Sequence, residues 1–391
     1  MAIFRKWLIL AAFVLALSSA GGVPPIAPVG GGVGFAIDCS TTTAKATPFE
    51  KYGPHYSIKS DPKVLGKTKI SERKNLKVMS YNMENLVESP GKYVEIDGKH
   101  VWQYGKLEKS ADRLEAVLRN IRSENPDVIV GIEIESLDAM QKAGLEQDYY
   151  AILVPGNDER GINIGFFVKK DLAVDIDIQS HREMRHLYMG QETKLFSRDF
   201  PVLQFRDPGA AAESDPIFIL GGVHLKSQRA GDPGSLGATD VNSVAKRTAQ
   251  ADAMAAVMAE YDAQYGSRVP IFMAGDFNND VRYGKEFAEV RKKFRDAFDV
   301  KGVPQQSIDR TTQSYFPRAN PNFPNAVPKP KYSQLDGFFV SKAGTQKVQE
   351  IHVVKELDAS GRPMDPPKSF EERETRGSDH RALSVTLNFG G

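Results

Sequence analysis

Cysteine is almost absent from this 391-residue chain, which has one, Cys39. A lone thiol cannot close an internal disulfide, so no disulfide framework staples the fold. Neither a thiolate cluster nor an HExxH motif is present to suggest zinc. An excess of charge of one sign is missing too, since Lys plus Arg total 51 and Asp plus Glu total 50. That balance argues against a globally basic nucleic-acid binder; a polyanion would have to be met by a local patch or a metal. Beyond the first twenty residues no apolar run approaches the ~20 residues needed to cross a bilayer. What is present is ordinary for a globular chain: 41% hydrophobic and 26% charged residues exclude disorder and collagen-like repeats. At ~100–200 residues per domain the length allows two or three domains, or one large α/β domain with appendages.

The N-terminus reads MAIFRKWLILAAFVLALSSA. Two basic residues, Arg5 and Lys6, precede an uncharged apolar run from Trp7 to Leu17, and Ser18-Ser19-Ala20 supplies small residues for cleavage. This layout predicts a signal peptide over 1–20 and a secreted or periplasmic protein, the alternative being an uncleaved anchor helix. No membrane span is expected after cleavage. Residues 21–34 are rich in glycine and proline and 40–74 are polar without a period. We read 21–74 as a linker or loosely packed extension and 75–391 as one folded domain.

Within that domain, LKVMSY (76–81), DVIVGIE (127–133), INIGFFV (162–168), PIFILGGVHL (216–225), RVPIFMAGDF (268–277), QLDGFFVS (334–341) and ALSVTLNF (382–389) read as strands. Apolar positions 107, 114, 117, 118 and 121 follow helical spacing up to Asn125-Pro126, and 243–261 forms a second, Ala- and Met-rich helix. Most strands are apolar on both faces, which implies sheets covered on both sides and a layered α/β sandwich. Residues 317–331 are a proline-rich loop.

Five strand ends carry polar groups: Asn82 and Asn85; Glu133 and Glu135; His224; Asp276, Asn278, Asn279 and Asp280; Asp379 and His380. Such groups at the ends of apolar strands converge on one sheet edge, where loops leave room for a ligand. Carboxylates and amide oxygens suit a hard cation such as Mg²⁺ or Mn²⁺. His224 interrupts an apolar strand and His380 follows an acid; His55, His100, His181, His186 and His352 are read as solvated.

YNMEN, the acid of DVIVGIE, GGVHLKS, GDFNND, QLDGFFVS and GSDHRAL, in that order, together resemble the endonuclease/exonuclease/phosphatase family, in its exported bacterial form. The resemblance spans roughly 76–389 and implies a four-layer α/β/β/α sandwich of two mixed sheets. It further implies a metal-dependent hydrolase of phosphoric ester bonds using Mg²⁺, with Mn²⁺ or Ca²⁺ as alternatives. By position, Glu133 resembles the principal metal ligand, Asn82 a neighbour on metal and phosphate, and Asp276 with Asn278 a pair at the reacting phosphate. Asp379 resembles a second acidic ligand or an orienter. His224 and His380 match the histidines that flank the phosphate, and Asp336 matches the acid that holds the His380 imidazole. Asp276 and His380 both stand as candidate general base. Two departures are visible. Val223 stands where the family commonly has Asn or Thr, and the residue near 162–168 that serves the leaving group is not obvious, Asn163 or Arg160 being candidates.

Arg182, Arg185, Lys194, Arg198, Lys226, Arg229, Lys246 and Arg247 offer a basic rim. Of these, Arg185, Arg198, Lys226 and Arg229 are the expected substrate contacts, beside Asn82. Trp102, Tyr104, Tyr188 and Tyr315 offer aromatic faces to bases. The expected substrate is nucleic acid, cut with little sequence specificity; no protein partner is implied. A phosphatase or sphingomyelinase-like phosphodiesterase of the same family is the alternative, and a non-catalytic binding module is the alternative of another class.

Overall fold

The computed structural model describes residues 36–37, 53–59, 67–86, 92–96, 99–103, 109–158, 161–188, 191–211, 213–228, 241–316 and 329–389. The expectations for 1–20, Cys39, Tyr104, Arg160, Arg229 and the loop 317–328 lie outside the described residues, as do the side chains of Trp102 and Tyr188. The chain divides into Met1–Val33 and Gly34–Gly391, and the second unit carries everything that follows.

Two seven-stranded sheets form its centre. The first runs Ala36–Ile37, Tyr149–Val154, Asn163–Lys169, Val128–Ile134, Leu76–Leu86, Leu383–Leu387, Val348–Val353. The second runs Arg295–Asp296, Asp336–Val340, Ile271–Asp276, Phe218–His224, Val202–Arg206, Asp175–Gln179, His55–Ile58. Both are mixed. Leu76–Leu86 runs parallel to Val128–Ile134, and Phe218–His224 runs parallel to Ile271–Asp276, among antiparallel neighbours.

Alternation along each strand explains the layering. Val78, Val128, Val130 and Ile132 of the first sheet share one buried cluster with Leu220, Phe272, Ala274 and Phe338 of the second. The intervening residues face outward under helices. Met79, Tyr81 and Ile129 pack with Val117, Leu118 and Ile121 of the helix Ala111–Glu124. Ile219, Val223 and Met273 pack with Met254, Ala255 and Met258 of the helix Val241–Gln264. The order is therefore helix, sheet, sheet, helix. Ser110 caps the first helix by accepting from the Arg113 amide, and Asn125 ends it at φ 48. Val223 faces the outer helix, so its identity leaves the inner face beside His224 unaltered.

Part of the 21–74 segment is woven into this core. His55–Ile58 is the edge strand beside Asp175–Gln179, and Thr68–Lys69 pairs with Leu172–Ala173. Ile70 is wholly buried. His181, expected to be solvated, is also wholly buried. Its Nδ1 lies 2.6 Å from the Phe200 carbonyl, and burial pulls its pKa down to about 4 against that bond.

Candidate active site

The inter-sheet face ends in polar residues. On the strand Ile271–Asp276 the inward positions are Phe272, Ala274 and then Asp276; on Phe218–His224 they are Leu220, Gly222 and then His224. The strand Asp336–Val340 runs the other way, so its inward set Val340, Phe338 begins with Asp336 at the same edge. Register places His224 opposite Asp276 and Asp276 opposite Asp336, a row across three neighbouring strands. Asn82 continues the inward set of Val78 and Ser80 on the facing sheet, and its Nδ2 donates to Asp276 Oδ2 at 3.1 Å. The close strand approach requires Gly275 (φ 147), where a Cβ would lie 1.9 Å from the Val223 carbonyl oxygen.

Glu133 breaks the alternation. Strict pleating would point it outward with Ile129, but the pairing shifts between Ile132 and Ile134 and Glu133 takes φ 66. This bulge turns the half-buried carboxylate to the site edge. There its Oε2 accepts from the Asn85 amide at 3.1 Å, and its charge bears on both Asp276 and Lys109. The neighbouring strand is distorted in step, with Glu84 and Asn85 at φ 44 and 61.

Asp276 is 1% exposed. Its Oδ1 accepts from the Asn278 amide at 2.7 Å and its Oδ2 from Asn278 Nδ2 at 3.1 Å. His224 Nε2 is 3.8 Å and His380 Nε2 4.0 Å from Asp276 Oδ2. His380 Nδ1 meets Asp336 Oδ2 at 2.7 Å. Burial lifts the Asp276 carboxyl well above the usual carboxylate range. The His380 imidazolium works against this lift, while Asp336 and Glu133 add to it. Burial opposes charge on His380, yet Asp336, Asp276 and Asp379 together hold its pKa well above the ordinary imidazole value. Both groups are therefore shifted upward, Asp276 by burial and His380 by the acids around it.

Several supporting residues carry no signal of their own in the sequence. Glu84, inside YNMEN, accepts from the Asp379 amide at 3.0 Å and pairs with Arg113 at the start of the first helix. Arg113 Nε donates to the Arg376 carbonyl at 2.8 Å, and Lys109 Nζ donates to the Gly377 carbonyl at 2.5 Å. Burial lowers the Lys109 ammonium to about 8, against the pull of Glu84, Asp379 and Glu133. Ser378 Oγ donates to the Asn82 carbonyl at 2.7 Å and accepts from the His380 amide at 3.1 Å. The GSDH segment is thus tied to the strand that bears Asn82. Gln313 Nε2 lies 3.1 Å from His380 Nε2.

The expected basic rim needs correction. Arg198 is 4% exposed; its Nε meets Asp158 at 2.9 Å and its Nη1 donates to the Leu225 carbonyl at 3.2 Å. Arg247 is buried against Glu286 at 2.8 Å. Neither guanidinium lies open on the surface, because each is drawn inward by a buried partner acid, Asp158 for Arg198 and Glu286 for Arg247. Arg185 and Lys194 are exposed to differing degrees on a hairpin, where they face Glu192 and Glu183. Lys226 is half-buried, its amide donating to Gln250 Oε1 at 2.8 Å. Asn163 also has structural work: it accepts from the Gly156 amide at 2.9 Å and donates to the carbonyls of Glu135 and Gly161, each at 3.0 Å. Tyr315 is exposed on the strand that begins at Gln313.

The donors suit a hard divalent cation. They are carboxylate and amide oxygens crowded at one edge, with mutual repulsion among Asp276, Asp336 and Glu133 and with Asp336 Oδ1 buried and without a hydrogen bond. Ligand atoms of Asp276, Asp336 and His380 all lie within 4.8 Å of one another.

A mixed two-sheet α/β sandwich whose inner edge gathers acids, amides and two histidines is the architecture of a class of phosphoester hydrolases. The chain belongs to the endonuclease/exonuclease/phosphatase family, whose model matches residues 79–380. Members of that family are hydrolases of phosphoester bonds that depend on divalent metals. No curated protein matches the sequence. Among solved structures, the human Nocturnin catalytic domain with bound sulfate anion is similar at 14% identity, covering 86% of this chain and 98% of that one, with a TM-score of 0.50. TDP2 from Caenorhabditis elegans aligns at 17% identity over 80% and 75% of the two chains, with a TM-score of 0.49. A mannosyl-6-phosphatase of Bacteroides thetaiotaomicron aligns at 16% identity over 80% and 99%, with a TM-score of 0.45. At these identities the likeness is one of fold. No helix among the described residues is long and apolar enough to cross a membrane.

Proposed function

We propose that this protein is an exported, Mg²⁺-dependent phosphodiesterase that cuts nucleic acid with little sequence specificity. The observation that carries the reaction class is the row His224, Asp276, Asp336 with His380 hydrogen-bonded to Asp336 at 2.7 Å. In this reading Glu133, Asn82 and Asp379 hold the cation, with Asp276 and Asn278 beside it. When bound, the cation supplies Lewis-acid polarisation of a phosphate oxygen.

The chain's own groups divide the proton work. Asp276 is the general base, because burial and neighbouring acids make its carboxylate a far better proton acceptor than an exposed aspartate. His380 stays protonated and donates from Nε2 to a phosphate oxygen, while Asp336 fixes its ring orientation and supports its charge. Asn278 orients the Asp276 carboxylate through both of its donors. His224, on the other flank of Asp276, donates to a second phosphate oxygen. Among the substrate contacts, Arg185 and Lys226 are assigned to phosphates; Arg198 supports the site by holding the carbonyl of Leu225, which follows His224. Arg229 is assigned to phosphate contact from the sequence alone.

A panel of duplex DNA, single strands, RNA, sphingomyelin and inositol phosphates, each with Mg²⁺, Mn²⁺ or Ca²⁺, tests this. Hydrolysis of DNA or RNA that stops on chelation and returns with Mg²⁺ is expected. Cleavage of sphingomyelin or inositol phosphates alone would leave only the reaction class standing. Hydrolysis of nothing would favour a binding module on this fold. Retention of Met1 in the purified native protein, seen by mass spectrometry, would overturn export by signal cleavage.

A further inference from the structure

We propose that Thr312 is the positioning residue that holds Asp336 and His380 in register, so that the hydrogen bond between them depends on one buried hydroxyl. The inference rests on the reading of His380 above. Thr312 is wholly buried and belongs to no sheet of the sandwich. Its Oγ1 accepts from two successive amides, Leu335 and Asp336, each at 3.0 Å. A hydroxyl oxygen has two acceptor sites, and both are used here. The same residue's carbonyl accepts from the Arg381 amide at 2.7 Å, and its own amide donates to the Ser333 carbonyl at 3.0 Å.

These four bonds meet at a junction. Asp336 opens one strand of the second sheet; His380 and Arg381 precede the last strand of the first sheet. The two acidic and basic partners therefore come from different sheets, and no backbone ladder joins them directly. Thr312 supplies the link: side chain to the Asp336 end, main chain to the Arg381 end. Arg381 reinforces it by donating from Nη1 to the Thr311 carbonyl at 3.1 Å, and Gln313 forms an isolated antiparallel bridge with His380. A 2.7 Å hydrogen bond tolerates little drift in either partner. Removing the hydroxyl would leave two adjacent buried amides unpaired and free the Asp336 end to move.

The test uses the full chain with Thr312→Val, Thr312→Cys and Thr312→Ser. Two readouts are taken: steady-state hydrolysis of a small chromogenic phosphodiester, and the downfield proton NMR resonance of His380 Nδ1–H. Thr312→Val keeps the shape and loses the acceptor. Its kcat should fall about 10- to 100-fold, the scale of a ~1 Å misplacement, while KM changes less than about threefold and the downfield resonance shifts or vanishes. Thr312→Ser restores the acceptor and should return both readouts to near wild type. Thr312→Cys offers a weaker, longer acceptor and should lie between; if Thr312→Val does not fold, this variant decides. Wild-type kcat and an unmoved resonance in a folded Val or Cys variant would overturn the proposal and leave Thr312 a packing residue. If wild type hydrolyses no phosphoester, the functional reading fails, while the resonance still decides whether Thr312 sets the hydrogen bond.

Discussion

Asp336→Asn should separate function from stability. The native carboxylate accepts from His380 Nδ1 at 2.7 Å through Oδ2. Its Oδ1 is buried with no hydrogen-bond partner. Replacing it by an amide leaves at most a neutral acceptor and strips the charge from a hydrogen bond between charged groups, which is worth ~1.5–3 kcal/mol. If the loss falls on the transition state, turnover drops roughly 10- to 100-fold, since each ~1.4 kcal/mol is a factor of ten. Stability should move in the opposite sense or hardly at all, because a buried negative charge with an unsatisfied oxygen has been neutralised. The pH profile supplies a third observable. His380 is held protonated by Asp336, Asp276 and Asp379 against burial. With Asp336 neutral, burial weighs more and the imidazole pKa falls. A reaction that needs protonated His380 should then lose activity at lower pH on its basic side. The assay is kcat/KM for a chromogenic phosphodiester across pH 5–10, about the span of the groups involved, with a thermal melt alongside. Activity within twofold of wild type, or an unmoved basic limb, would refute the role assigned to the pair.

Three further outcomes follow from packing and charge. Arg198→Ala breaks a buried ion pair with Asp158; urea unfolding should show a loss of ~3–5 kcal/mol, and a loss below about 1 kcal/mol would mean that the pair is dispensable. Gly275→Ala drives a methyl into the Val223 carbonyl and should destabilise by more than about 3 kcal/mol or prevent folding; a stable, active variant would contradict the strand spacing. Glu124 is lowered to about 2 despite the opposing effect of burial, through His352, Ser384 and Lys77, while its hydrogen bond raises His352. A depressed acid contributes stability above its unfolded value near 4.5 that is lost as pH falls toward 2; a raised histidine contributes stability below 6.5 that is lost as pH rises through its folded value. Both groups are partly exposed, so solvent screening limits each limb to about 1 kcal/mol. Glu124→Gln should flatten both limbs when unfolding midpoints are compared near pH 3, 5.5 and 8; a change only at neutral pH would point to packing instead.

The sequence by itself determined the inner strands and the chemistry at their ends. A continuous apolar run has to lie between two covering layers, so Val128–Ile134, Phe218–His224, Ile271–Asp276 and Asp336–Val340 were legible. Polar groups at the ends of these runs marked Asn82, His224 and Asp276 as residues that meet at one edge. Asp175–Gln179, Val202–Arg206 and Val348–Val353 escaped. They are short and each carries a charged residue, and Asp177 is matched only across strands, by Arg206 at 3.3 Å. Glu133 shows the limit most clearly. Its residue type marked it, but alternation aims it away from the site, and only the bulge at φ 66, shared with a distorted neighbour, brings it round. The same holds for the arginines. Sequence gives charge, whereas burial and a partner acid decide whether that charge faces solvent, and Arg198 and Arg247 found Asp158 and Glu286 inside the fold. Thr312 carried no signal at all, because it becomes an anchor only when one sheet brings the Leu335 and Asp336 amides to its hydroxyl and the other brings the Arg381 amide to its carbonyl. Local periodicity is a property of neighbours along the chain; the alignment of Asp336 with His380 is a property of where two sheets meet, and only the assembled fold contains it.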